Sequence, residues 1–255
     1  MDYEKALKAF KNFVKNYNQS HDKISLKTKH TYEVVKISED IAKSLKLNDE
    51  DIYLAKITAL LHDIGRFDQV KFFDNFNDFM TIDHADYGVK LLFDDGLIKD
   101  FAVDEKYHEI IFQAIKNHNK YAIDDSLTKQ QLLHSKIIRD ADKTDIFRVL
   151  TDNSKIWTDN VMSENETISD EILTYIMNSK PVDRRKRQTK IDNQLSYIGF
   201  VFDYNFNFGL RYIQSKDYAN KIINKFNYKN PDTKQKMALV KKHINSYIND
   251  RLKNI

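Results

Sequence analysis

The sequence predicts an all-α protein, with a helical core domain over residues 1–155 and a helical C-terminal lobe over 156–255 packed on it. Three observations predict it. Only 5 Gly and 2 Pro occur in 255 residues, too few for the turns that a sheet protein needs. Apolar residues recur every three or four positions through most of the chain, the period of a helix with one buried face. With 41% hydrophobic and 31% charged residues, the balance is that of a globular chain.

The first element places Leu7, Phe10, Phe13, Val14 and Tyr17 at helical spacing. After the polar stretch NQSHDKISLK, a second helix is expected from about Thr28, with His30, Val34, Ile37, Ile41 and Leu45 in one stripe. His30 therefore points inward among aliphatic neighbours. Asn48 or Asp49 can cap a third helix, DEDIYLAKITALLHDIGR, with Gly65 as its left-handed terminator. That puts His62 and Asp63 in its last turn. The run KFFDNFNDFM fits no element. Asp83 begins a short helix bearing His84, Gly88, Leu91 and Leu92, and residues 104–117 form another that leads to His118. A longer helix over 127–150 carries Ile138, Asp142 and Ile146 at every fourth position. A carboxylate on that buried face is costly unless something pairs with it.

Beyond residue 150, SENETISD reads as a polar linker and VDRRKRQ as a basic cluster. Ile191, Leu195, Ile198 and Phe202 form a helical stripe, and after Pro231 so do Met237, Val240, Ile244, Ile248 and Leu252. The aromatic run SYIGFVFDYNFNF suits a core or a dimer interface; a homo-oligomer is left open.

Composition narrows the chemistry. A net charge of +3 gives no reason to expect a nucleic-acid partner. There is no cysteine, so any metal must sit on His, Asp or Glu. Such ligands suit Mn, Mg, Fe, Co, Ni or Zn. The lysine-studded N-terminus lacks the apolar core of a signal peptide. The most apolar run, IYLAKITALL, contains Lys56 and falls short of the roughly 18 residues of a membrane span. A cytoplasmic protein is expected.

The adjacent pair His62–Asp63 offers two ligands from rigid backbone. Neighbouring helix residues point about 100° apart, so both reach one ion only if it lies between them near the helix end. His30 from one earlier helix and Asp142 from a later one could complete a four-ligand set.

LLHDIGR, preceded by the inward histidine of TKHTYEV and followed by IIRDADKTD, resembles the HD superfamily of metal-dependent phosphohydrolases. The likeness spans residues 28 to 150, a little under half the chain. It implies an HD-type helical bundle in which His30, His62, Asp63 and Asp142 bind a metal. His84 in HADYG and His118 in IKNHNKY stand where a dinuclear subset supplies ligands to a second ion, with Asp63 bridging. By the same resemblance one or two divalent ions activate water against a phosphate ester, such as a nucleotide or other small phosphorylated molecule. Arg66 would contact the substrate phosphate, with Lys143 as a second candidate; Arg66 could equally be a cation favoured at a helix C-terminus. Asp63 would matter most, bridging the ions and orienting the nucleophile.

Two branches of the superfamily fit poorly. Cyclic-dinucleotide phosphodiesterases carry Gly-Tyr-Pro after the histidine matching His118, where this chain reads NKYAIDD. Alarmone hydrolases have an acidic pair soon after the His-Asp motif, where this chain reads RFDQ. Two other readings stay open: a mixed-valent di-iron oxygenase with the same ligand order, and a non-catalytic metal-stabilised sensor or scaffold. Among the remaining candidates, Asp140 suits a cap or surface position and His134 the core or surface. His21, His108 and His243 have no context that recommends them. Arg184, Arg185, Lys186 and Arg187 fit a solvated face better than an anion site.

Overall fold

A computed structural model describes residues 2–152, 165–225 and 227–253. These residues are helices and loops, with no strand among them. They divide into two compact units, residues 1–145 and 146–255. The boundary expected at 155–156 lies outside the described residues, as does the start of the SENETISD segment.

In the first unit, α1 (Tyr3–Val14) starts at Asp2, whose carboxylate accepts the backbone N–H of Lys5 at 3.1 Å. It buries Ala6, Phe10 and Val14. Phe10 and Phe13 meet Phe67 edge-on, with ring centres 5.9 and 5.6 Å apart. The second helix, α2 (Asp22–Ser44), begins six residues before the expected Thr28. Asp22 favours the positive helix start, and Ile24 extends the buried stripe forward. Leu45, at the other end of that stripe, lies beyond the helix and is half-buried.

Asn48 caps α3 (Asp49–Leu61), accepting from the Asp51 N–H at 2.8 Å, and three acids occupy the first turn. Of its last nine residues only Lys56 is not buried, the pattern of a helix surrounded by others. Helices α2 and α3 pack side by side.

Gly65 departs from expectation. It does not end α3 in a left-handed conformation; the chain breaks at His62 and Asp63, and α4 (Ile64–Phe73) starts at once. A Cβ on Gly65 would meet the His84 carbonyl oxygen at 2.4 Å and the Gly88 nitrogen at 2.9 Å. Glycine is needed there for close helix approach, not for a turn. Asp74 in the left-handed region ends α4 instead.

After the 74–83 loop, α5 (His84–Val89) is capped by Asp83 and runs into a wider turn over Lys90–Asp94. Short 3₁₀ turns over Leu97–Phe101 and Glu105–Tyr107 precede α6 (His108–Asn117). Helix α7 (Lys129–Thr151) contains the division between the units, at Asp145/Ile146.

The second unit holds α8 (Asp170–Met177), α9 (Lys190–Ile198), α10 (Asn207–Ser215), α11 (Tyr218–Ile223) and α12 (Pro231–Lys253). Thr189 and Asp192 form a reciprocal capping box at the start of α9. Ile172, Ile176, Ile191, Leu195, Ile198, Phe202, Met237, Val240, Ile244 and Ile248 share one apolar core, which includes both predicted stripes except the half-buried Leu252. The basic cluster is engaged locally. Arg185 pairs with Asp183, Lys186 with Glu171, and Arg184 lies over the Tyr197 and Phe200 rings. No helix among the described residues is long and apolar enough to cross a membrane.

Candidate metal centre

Asp63 sits in the break between α3 and α4, where its side chain caps nothing, and only 2% of the residue is exposed. Its two oxygens face different partners. Oδ2 lies 3.6 Å from His30 Nε2 and 3.5 Å from His62 Nε2. Oδ1 lies 3.3 Å from His84 Nε2 and 3.8 Å from His118 Nε2. Asp142 Oδ1 adds to the first group, 3.1 Å from His30 Nε2 and 3.9 Å from His62 Nε2. The other five side chains named from the sequence therefore gather around the Asp63 carboxylate. Helices α2, α3, α5, α6 and α7 each deliver one end or one face to it.

Each imidazole is oriented through its other nitrogen. His62 Nδ1 donates to the Ala59 carbonyl at 2.7 Å, and His118 Nδ1 to the Ile115 carbonyl at 2.6 Å. His30 Nδ1 donates to Asp145 Oδ2 at 2.6 Å, and His84 Nδ1 to Asp78 Oδ2 at 2.8 Å. Those acceptors carry no hydrogen, so each Nδ1 bears a proton, and a ring that is neutral presents its lone pair from Nε2. Protein metal sites hold histidine ligands in this way.

Two details fit a cation. His62 Nε2 is fully buried and has no hydrogen-bond partner, a costly state for a polar atom unless a ligand accepts its lone pair. His84 Nε2 and His118 Nε2 face each other at 3.0 Å. With both protons on Nδ1, two lone pairs oppose one another. Neighbouring nitrogens sharing an ion at about 2.1 Å from each would stand about 3 Å apart. The ligand atoms of His30, His62 and Asp63, and those of Asp63, His84 and His118, each lie within 4.8 Å of one another.

The electrostatics keep most of the set ready to bind. Burial pushes the His62 imidazole down to about 4 and, helped by Arg66, that of His84 to about 3; His118 is lowered for the same reason. These rings are neutral at neutral pH. Burial and Lys27 also oppose charge on His30, but Asp142 and Asp145 outweigh them and raise it to about 9. Burial would raise Asp63, yet Lys27, His62, His84 and Arg66 hold it well below the usual carboxylate range. Asp142 is likewise held down, chiefly by His30 against the effect of burial.

Other candidates take different places. Arg66 is in the first turn of α4 rather than at the end of α3, and only 8% of it is exposed. Its NH1 donates to Asp78 Oδ1 at 2.7 Å, to the Phe76 carbonyl at 2.8 Å and to Gln69 Oε1 at 2.5 Å, while its Nε lies 3.7 Å from Asp63 Oδ1. Lys143 is buried beside Asp142 on α7. Asp140 is fully buried, not at a cap or on the surface. His134 is a core residue, with Nε2 3.0 Å from Asp51 Oδ1.

Four contributors were not foreseen. Lys27 Nζ lies 2.6 Å from Asp63 Oδ2, one helical turn before His30. Asp145 is one turn after Asp142, and this spacing was the available signal for both residues. Arg139 donates to the Asn117 and Lys120 carbonyls at 3.0 and 2.5 Å, pinning the end of α6 that carries His118. Asp78 lies in the unassigned loop, where no periodicity could mark it.

Among known families, residues 28–146 match the one described as HD domain. No curated protein and no solved structure matches the chain.

Proposed function

Starting from the HD domain that residues 28–146 form, a family typically of metal-dependent hydrolases, we propose that this chain hydrolyses a phosphate ester, with a nucleotide or other small phosphorylated molecule as substrate. The observation that carries the proposal is the two-sided setting of Asp63, each oxygen facing its own pair of imidazole Nε2 atoms. His30, His62, Asp63 and Asp142 would hold one divalent ion; Asp63, His84 and His118 would hold another. Such ions, when bound, polarise phosphoryl oxygens and make water more acidic.

The chain's own residues do the rest. Asp63 fixes the two halves of the site relative to each other and presents oxygens that orient an attacking water. Burial of the four histidines excludes bulk solvent and strengthens every charge interaction there. The cations proposed to meet the substrate phosphate are Lys27, whose side chain is 15% exposed, and Lys143, next to Asp142. Arg66 spends three of its contacts on Asp78, Gln69 and the loop backbone, so it acts as a positioning residue.

Metal content and turnover of p-nitrophenyl phosphate and bis-p-nitrophenyl phosphate, with Mn²⁺, Fe²⁺ and Zn²⁺ in turn, test the reading. The wild type should hydrolyse at least one. Asp63→Asn should lose more than the ~10–100-fold that removing an outer partner costs, while keeping its helical signal. Two tightly held irons, with no turnover of any phosphate ester under any metal, would contradict hydrolysis and favour the di-iron oxygenase.

A further inference from the structure

We infer that Asp78 is the positioning residue for the Asp63 Oδ1 side of the site, fixing His84 and making that side depend on the 74–83 loop. The inference rests on the two-ion reading above and adds to it a residue outside the motif.

The reason lies in where each histidine sits on its helix. His62 and His118 follow the last residues of α3 and α6. There the final turn leaves backbone carbonyls able to take a side-chain donor, and the Ala59 and Ile115 oxygens orient the rings. No side-chain substitution removes those acceptors. His84 is the first residue of α5. A helix start exposes N–H groups, which are donors, so the first turn of α5 offers Nδ1 no terminal carbonyl of the kind that Ala59 and Ile115 supply, and the adjacent Asp83 carboxylate is taken up by Ala85, Asp86, Asn119 and Lys120. The acceptor has to be imported, and Asp78 Oδ2 supplies it at 2.8 Å from six residues upstream.

Asp78 is itself held from α4. Its Oδ1 accepts from Arg66 NH1 at 2.7 Å and from Gln69 Nε2 at 3.0 Å. Gln69 is fully buried and also donates to Thr81 Oγ1 and the Ile82 carbonyl, at 2.8 and 2.9 Å. The loop is thus laced to α4 on both sides of Asp78, and its carboxylate passes that fixation to His84. His84 Nε2 is in turn the imidazole nitrogen nearer Asp63 Oδ1, at 3.3 Å against 3.8 Å for His118. The Oδ2 side does not use this network, because His30 takes its orientation from Asp145 on α7.

Asp78→Asn removes the charge and puts an amide in contact with Arg66 or Gln69. The test is a Mn²⁺ titration of the full chain, followed by calorimetry and by electron paramagnetic resonance. Wild type should bind two equivalents and show an exchange-coupled spectrum. D78N should keep one equivalent at wild-type affinity, bind the other ~10–100-fold more weakly, and show the six-line spectrum of isolated Mn²⁺. If D78N lacks the wild-type circular dichroism spectrum, Asp78→Glu replaces it; that variant keeps the charge but shifts the oxygen from His84, and the same selective loss is expected. Two equivalents bound with wild-type affinities, or both weakened equally, would overturn the inference. A wild type that takes up fewer than two equivalents would overturn the two-ion reading itself, so the two failures are distinguishable.

Discussion

A neutral imidazole has one lone pair, and the partner of its N–H decides where that pair points. At His30 the partner is Asp145, buried at 1% exposure and 2.6 Å away. Asp145→Asn should weaken one Mn²⁺ equivalent by ~10–100-fold and spare the other, checked by the same titration; equal weakening of both would contradict the division of the site at Asp63. His134 makes a different prediction. Burial lowers its pKa below the usual 6.5, against the pull of Asp51. The unfolded chain therefore binds a proton near pH 6.5 that the native ring refuses. The stability linked to His134 is full above pH 6.5 and is lost as pH falls towards the native value. Melting temperatures from pH 8 to 5.5 should drop less steeply in His134→Gln than in wild type. Parallel curves would show that the buried ring is not protonation-linked.

At the scale of helices, the site is built where elements end or start, and this explains what could be read in advance. His30 and Asp142 lie within long helices, where apolar neighbours at three- and four-residue spacing mark an inward direction. His62 was legible as the end of an apolar run. The start of α4 directly after Asp63 was not, because a glycine after an apolar helix reads locally as a terminator, whereas Gly65 is required by contact with α5, a non-local demand. Asp78 was invisible for a related reason: its role comes from a loop folded onto α4, and loops carry no period. The glycine account is open to a paired test. Gly65→Ala would force a Cβ to 2.4 Å from a backbone oxygen, whereas the same change at Gly88 meets Ile64 Cγ2 at 3.4 Å and the Gly65 nitrogen at 3.5 Å, both ordinary van der Waals contacts. G65A should cost about 1–3 kcal/mol or more and G88A well under that, measured by urea denaturation. Equal costs would mean that the α4–α5 approach is not what requires glycine.

For the molecule as a whole, all six candidate ligands belong to the unit of residues 1–145, while residues 146–255 have an apolar core of their own. A ligand that binds only the native state adds about 2.7 kcal/mol at a hundred times its dissociation constant. Hydrogen exchange with and without Mn²⁺ should therefore show increased protection in α2, α3, α5 and α6 and none in α9 or α12. Protection spread evenly over both units would place the ion elsewhere. The reading depends most on whether cations occupy both sides of the Asp63 carboxylate. An anomalous difference map from Mn²⁺-soaked crystals measures that directly. Two peaks are expected, about 3.5–4 Å apart, one beside His30, His62 and Asp142 and the other beside His84 and His118. Saturating Mn²⁺ with no peak at Asp63 would contradict the metal centre outright.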